Sequence, residues 1–278
     1  MAKPITTRIF TVANQKGGVG KTTSAVNVAA ALAMGGLKTL IIDLDPQGNA
    51  STAFGISRDE VNGMYEVIIK DLPMQSAALK IPGYPNLEVI PATQSLANAE
   101  VELVPMVARE MRLKKSLNNY LLDAANRGER FDYVIIDCPP SLGLLTINAL
   151  VAAQELLIPI QCEYYSLEGL TLLLHTVSLI QEHLNPNIKL TTILLTMFDG
   201  RTRLANDVAA EVRKHYSAEL IDIPIPRAVR ISEAPSYGQT VMTYDPASNG
   251  AEAYGLVARE IARRGALSSN SNSEKGVG

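Results

Sequence analysis

Cysteine is nearly absent. Cys138 and Cys162 stand 24 positions apart, without CxxC spacing and without a histidine cluster beside them, which excludes a disulfide framework and gives no zinc signature. An excess of one charge sign is missing as well. The 25 Lys and Arg against 28 Asp and Glu leave a net charge of −3, so the chain is no polycationic nucleic-acid wrapper, and any contact with DNA has to come from a local patch. No run approaches the roughly 18 apolar residues of a membrane span, and Met1-Ala2-Lys3-Pro4 opens no signal-peptide stretch. A reducing cytoplasm is the expected compartment. Neither a repeat nor a linker divides the chain.

What is present is an alternation of short apolar runs with longer helical periodicity. Residues 8–14 (RIFTVAN), 38–43, 87–90, 133–137, 156–160 and 190–197 read as strands, and Lys21–Met34 as a helix. Strands this continuously apolar are buried on both faces, which predicts an α/β fold: a mainly parallel twisted sheet with helices on both sides. At 278 residues the chain is long enough to bury such a core without staples. One domain over residues 1–265 is expected, followed by a disordered polar tail at 266–278. Between residues 57 and 91, Gly63, Pro73, Pro82, Gly83 and Pro85 interrupt the periodicity and predict short surface elements.

The most informative stretch is Gln15-Lys16-Gly17-Gly18-Val19-Gly20-Lys21-Thr22-Thr23, set between a strand and a helix. Glycines let backbone N–H groups point inward at a phosphate, a helix N-terminus favours the anion, and Lys and a hydroxyl complete the set. Gly20-Lys21-Thr22 closes the G-x-x-x-x-G-K-[ST] pattern, yet the position of its first glycine is Gln15, and a second lysine, Lys16, follows. One lysine suffices for the terminal phosphates of one subunit, so a second lysine is harder to explain within one subunit and could reach a nucleotide across a dimer interface.

This loop resembles the deviant Walker A motif of the ParA/MinD class of P-loop ATPases. Further matches are Asp43-Leu44-Asp45-Pro46-Gln47-Gly48-Asn49-Ala50, Asp137-Cys138-Pro139-Pro140-Ser141, the stretch from Cys162 to Gly169 that includes Tyr164 and Tyr165, the stretch from Thr196 to Thr202, and the stretch from Ser232 to Gly238. Together they are similar to the chromosome-partitioning ParA branch, also called Soj. The resemblance implies a P-loop fold, ATP and Mg²⁺ as cofactors, and a cycle in which an ATP-bound sandwich homodimer holds nonspecific double-stranded DNA until a ParB-like partner stimulates hydrolysis. A nucleoid-associated cytoplasmic protein is implied.

The resemblance also assigns roles. Lys16, Lys21 and Asp45 are the catalytic set; Lys16, Gly17, Gly18, Val19, Gly20, Lys21, Thr22, Thr23 and Asp43 surround the nucleotide; Thr22 binds the metal directly and Asp137 through water. Met197 and Pro226 are candidates for the adenine site, although each also reads as a core methionine and a turn proline. Arg201 and Arg230 match arginines used for DNA contact, with Arg203, Arg213, Lys214 and Arg227 nearby in sequence. Residues 199–278 carry ten basic and ten acidic residues, a balance that leaves room for a weak DNA face. Three alternatives remain open. A ParA-like ATPase could carry another cargo. A MinD-like membrane switch needs a basic amphipathic C-terminal helix, whereas 251–266 is Ala-rich and reads as a packed helix. A cluster-bearing electron donor needs presented cysteines, and both here read as small buried residues.

Overall fold

The computed structural model describes residues 1–59, 61–163 and 166–273, with side chains through Ala266. Tyr164, Tyr165 and residues 274–278 of the tail lie outside the described residues. The chain begins β1 (Arg8–Val12), α1 (Lys21–Met34), β2 (Thr39–Asp43), α2 (Asn49–Ala53) and α3 (Met64–Ile69), then β3 (Leu79–Ile81), β4 (Tyr84–Ile90), α4 (Ala99–Leu103) and α5 (Arg112–Asn126). It continues β5 (Tyr133–Asp137), α6 (Leu144–Ala152), β6 (Glu155–Gln161), α7 (Ser166–His183), β7 (Lys189–Thr196), α8 (Arg203–His215) and β8 (Leu220–Ile221). Three helices close it: α9 (Val229–Glu233), α10 (Val241–Tyr244) and α11 (Asn249–Ser273).

The eight strands form one sheet in the order β3-β4-β2-β5-β1-β6-β7-β8, parallel throughout except for the β3–β4 hairpin. Period-two alternation divides each central strand between two cores. Ile9, Leu40, Ile42, Val134, Ile136 and Ile158 face the layer of α5, α6 and α7. Phe10, Val12, Ile41, Ile135 and Leu157 face α1 and α11. Each such fully buried aliphatic contributes about 1.5–3 kcal/mol, so the register of the central strands is strongly specified. Helix α1 is apolar nearly all round, as expected for a helix enclosed between the sheet and α11.

The irregular region between 57 and 91 is more integrated than its Gly and Pro content suggests. Met64, Val67 and Ile68 of α3 are buried, and β4 pairs with β2 inside the sheet. Elements of three to seven residues show too few periods to stand out in sequence. The chain also stays helical beyond Ala266, through Ser273 of α11, where a polar tail without regular structure was expected. Adding a residue to an existing helix is far easier than nucleating one, which lets a Ser/Asn run follow α11. The apolar side of α11, with Tyr254, Val257, Ala258 and Ile261, is buried in the second core rather than free for a lipid surface. Among the described residues no helix is long and apolar enough to cross a membrane.

Candidate active site

Three strand ends define the site. Asp43, the last residue of β2, is the register partner of Asp137, the last of β5, and Asp137 is in turn opposite Val12, the last of β1. Parallel pairing therefore sets both carboxylates beside the point where the chain leaves β1 for the phosphate loop. The loop is anchored on either side: Asn14 Nδ2 donates to the Pro159 carbonyl at 2.8 Å, and Thr196 Oγ1 to the Val19 carbonyl at 2.8 Å. Gly18 (φ +74°) and Gly20 (φ +84°, ψ 30°) take positive φ, which glycine adopts without strain. Gly20 is the N-cap of α1, and the helix dipole adds to the pull on an anion there.

Lys21 is 7% exposed, and its Nζ donates to the Lys16 carbonyl at 2.9 Å, curling across the loop it belongs to. Burial lowers its pKa, while Asp137 and Asp45 oppose that shift. Asp43 is fully buried and accepts from Ser51 N at 2.8 Å, Ser51 Oγ at 2.6 Å and Asp45 N at 3.2 Å. Burial nevertheless pushes it up to about 6, with Asp45 adding to the rise. Asp137 is also fully buried, and neither carboxylate oxygen has a hydrogen-bond partner of good geometry among the described residues. Its pKa is raised, first by desolvation and then by Asp43, although the Thr22 hydroxyl and Lys21 lie near enough to oppose the rise. A bare buried carboxylate beside a second carboxylate is costly unless a cation compensates it. The donors here, a carboxylate and a hydroxyl, suit a hard, hydrated divalent ion such as Mg²⁺.

A cleft of about 610 Å³ opens over this edge. Gly17, Gly18, Gly20, Lys21, Thr22, Thr23 and Asp45 line it, and so do Met197 and Pro226. Met197 has φ 48°, a left-handed conformation rare outside glycine, and the Phe198–Pro226 bridge with Phe198 N donating to Ile225 O at 2.9 Å ties its loop to the segment after β8. Both adenine candidates are thus brought to the cleft. Arg227, grouped by sequence with the DNA candidates, lines the cleft too, as do Gln47, Asn49 and Gln239. Gln47 and Asn49 belong to the matched 43–50 stretch, whereas no spacing rule marks Arg227 and Gln239, which reach the cleft from separate segments after β8.

Lys16 stands apart from the cleft lining. Its Nζ pairs with Glu163, just beyond β6. Arg201, 90% exposed, is held in a two-point contact by Asp199 at 2.8 and 2.7 Å. Arg230 faces Glu233 at 3.3 Å and Asp245 at 3.7 Å, and lies over the Tyr244 ring. Arg203, Arg213 and Lys214 pair with Asp207, Asp222 and Glu211. Both cysteines are buried, and burial pushes the Cys162 thiol up to about 11; neither is presented as a cluster ligand.

Comparison with known proteins extends this picture. The family model described as an AAA domain matches residues 7–190. The sporulation initiation inhibitor protein Soj of Bacillus subtilis is 49% identical over 93% of this chain and 99% of its own length. The chromosome partitioning protein ParA of Myxococcus xanthus is 48% identical over 92% of this chain and 88% of its own. A solved structure named cobyrinic acid a,c-diamide synthase from Mycobacterium smegmatis, with bound ATP analogue and magnesium, is 37% identical, with TM-score 0.77, over 92% of this chain and 95% of that one. Identity near one half, sustained across nearly the full length of both sequences, carries the likeness well beyond the phosphate loop: the chain belongs to the ParA/Soj family of chromosome-partitioning ATPases.

Proposed function

We propose that this chain hydrolyses ATP with Mg²⁺ in a cycle where two ATP-bound copies pair, hold nonspecific double-stranded DNA, and release it when a ParB-like protein stimulates hydrolysis. ATPase activity in the service of chromosome partitioning is what the family does. The observation that carries the chemistry is Asp137: a fully buried carboxylate with no hydrogen-bond partner of good geometry among the described residues, next to Thr22 and Lys21. Such a group suits a metal shell.

In this reading the amides of Gly17 to Gly20 and the N-terminus of α1 bind the phosphates, and Lys21 leaves the Lys16 carbonyl to meet them. Thr22 and, through water, Asp137 hold the ion, which when bound neutralises charge building on the transferred phosphoryl group. Asp45, lining the cleft, orients the attacking water, and Asp43 fixes the loop through Ser51. Met197 and Pro226 flank the base. Lys16 exchanges Glu163 for the nucleotide of the second copy. Arg201 and Arg230 trade their carboxylate partners for DNA phosphates, an exchange that makes binding weak, salt-sensitive and dependent on a dimer doubling the contacts. In the cell the ATP-bound protein then sits on the nucleoid.

ATP turnover measured with neither, either or both of nonspecific duplex and a candidate ParB tests the cycle. Stimulation that requires both is expected. Turnover indifferent to DNA and partner, or stimulated by phospholipid instead, would overturn it.

A further inference from the structure

Arg58 belongs to none of the motifs, yet its guanidinium gathers more backbone carbonyls than any other cation described above. Nε donates to Ala92 O at 2.9 Å, Nη1 to Gln47 O at 2.6 Å, and Nη2 to Pro46 O at 2.5 Å and Thr93 O at 3.4 Å. These acceptors lie on two loops, one leaving β2 and the other leaving β4, and the two strands are paired neighbours. Arg58 therefore staples the two loops together at the strand edge where the carboxylates sit.

The loop leaving β2 is the one that carries Asp45. From within, it is closed by Gln47 N donating to Asp45 Oδ1 at 2.9 Å and by Gly48 N donating to Asp45 O at 2.8 Å. From outside, Pro46 O and Gln47 O, the two carbonyls directly after Asp45, are both taken by Arg58. Gly48 completes the fit: its φ is +67°, and a Cβ built there would stand 2.2 Å from Arg58 Nε. The guanidinium thus packs closely against the backbone of the turn, in space a side chain at 48 would fill. A planar fork can serve several carbonyls at once, whereas a lysine ammonium is a point charge without that geometry.

We infer that Arg58 is a positioning residue for ATP hydrolysis, holding the 45–48 turn so that the Asp45 carboxylate keeps its place in the cleft. The inference rests on the reading of Asp45 as the group that orients the attacking water. An orienting group gains its effect from being held in advance, and a displacement of about 1 Å can cost about 10²-fold in rate. Arg58 touches neither the phosphate loop nor the base end of the cleft in any contact given above, so nucleotide affinity is separable from its role.

The test uses the full-length chain with ATP and Mg²⁺, measuring single-turnover hydrolysis and fluorescent-ATP affinity for Arg58→Ala, Arg58→Lys, Gly48→Ala and Asp45→Ala. Arg58→Ala and Gly48→Ala should each lose at least tenfold in hydrolysis rate with affinity within twofold of wild type, and Arg58→Lys should fall on the same side. Millimolar guanidinium, compared with equal sodium chloride, should restore Arg58→Ala severalfold and leave Gly48→Ala unchanged. A rate within twofold of wild type, a parallel loss of affinity, or no guanidinium rescue would overturn the inference. Unaltered turnover in Asp45→Ala would remove instead the reading beneath it; an inactive Asp45→Ala beside an active Arg58→Ala defeats the Arg58 inference alone.

Discussion

At the residue scale the site is a set of charges that the apo chain holds at a cost. Asp137 is ionisable, fully buried and without a hydrogen-bond partner of good geometry among the described residues, and its neighbour Asp43 raises its pKa further. A cation repays that cost, and a neutral amide avoids it. Asp137→Asn should therefore raise the melting temperature of the nucleotide-free protein while lowering Mg²⁺-dependent ATP turnover about 10²-fold, the scale of removing one group that stabilises developing charge. Thermal melts with and without Mg²⁺-ATP, set beside turnover rates, check both halves. A variant that melts lower and still turns over would contradict the metal role.

At the scale of elements, α11 is tied to the sheet at the starts of β7 and β8, the end opposite the site. Glu260 accepts from Arg263 Nε at 2.7 Å and Arg264 Nε at 2.9 Å, and Arg264 donates on to Thr191 O, Glu219 O and Leu220 O of the β7–β8 corner. The arginines hold the Glu260 carboxyl down at about 2. Because this folded-state value lies below that of an unfolded glutamate, about 4.3, the group stabilises the fold above that value and loses its contribution as pH falls through about 2. Glu260→Gln should cost about 1 kcal/mol at neutral pH, and its stability gap from wild type should close between about pH 4 and pH 2. Denaturant titrations across that range read the gap directly, and a gap independent of pH would mean that the ion pairs contribute nothing.

For the whole molecule the question is what a single copy keeps in reserve. Lys16 is paired with Glu163 and half exposed, and the arginines proposed for DNA are each matched by a carboxylate. A lone copy is thus internally neutralised. Lys16→Ala should leave the fold and ATP binding of one copy intact, since Lys21 and the glycine amides remain, but abolish ATP-dependent dimer formation and with it DNA retention. Sedimentation with ATP and Mg²⁺, alongside a fluorescent-ATP titration, decides this; equal dimer formation in wild type and variant would remove Lys16 from the interface.

Local pattern was enough for much of this protein. Helix α1 was legible from end to end, because a glycine loop and an apolar run state both its start and its length, and the strand ends at Asp43 and Asp137 followed from apolar runs that stop at a carboxylate. The phosphate loop, with its missing first glycine and added Lys16, needed no tertiary information, since loop chemistry depends on consecutive residues. Chain order could not decide what depends on register and on loops meeting across the sheet. That Asp43 and Asp137 are opposite one another, that Glu163 occupies Lys16, and that Arg58 closes the Asp45 turn are contacts between residues 11 to 147 positions apart, and Arg227 lines a cleft shared with the phosphate loop. Such contacts carry no periodic signal, and only the packing of the two cores on the sheet selects them.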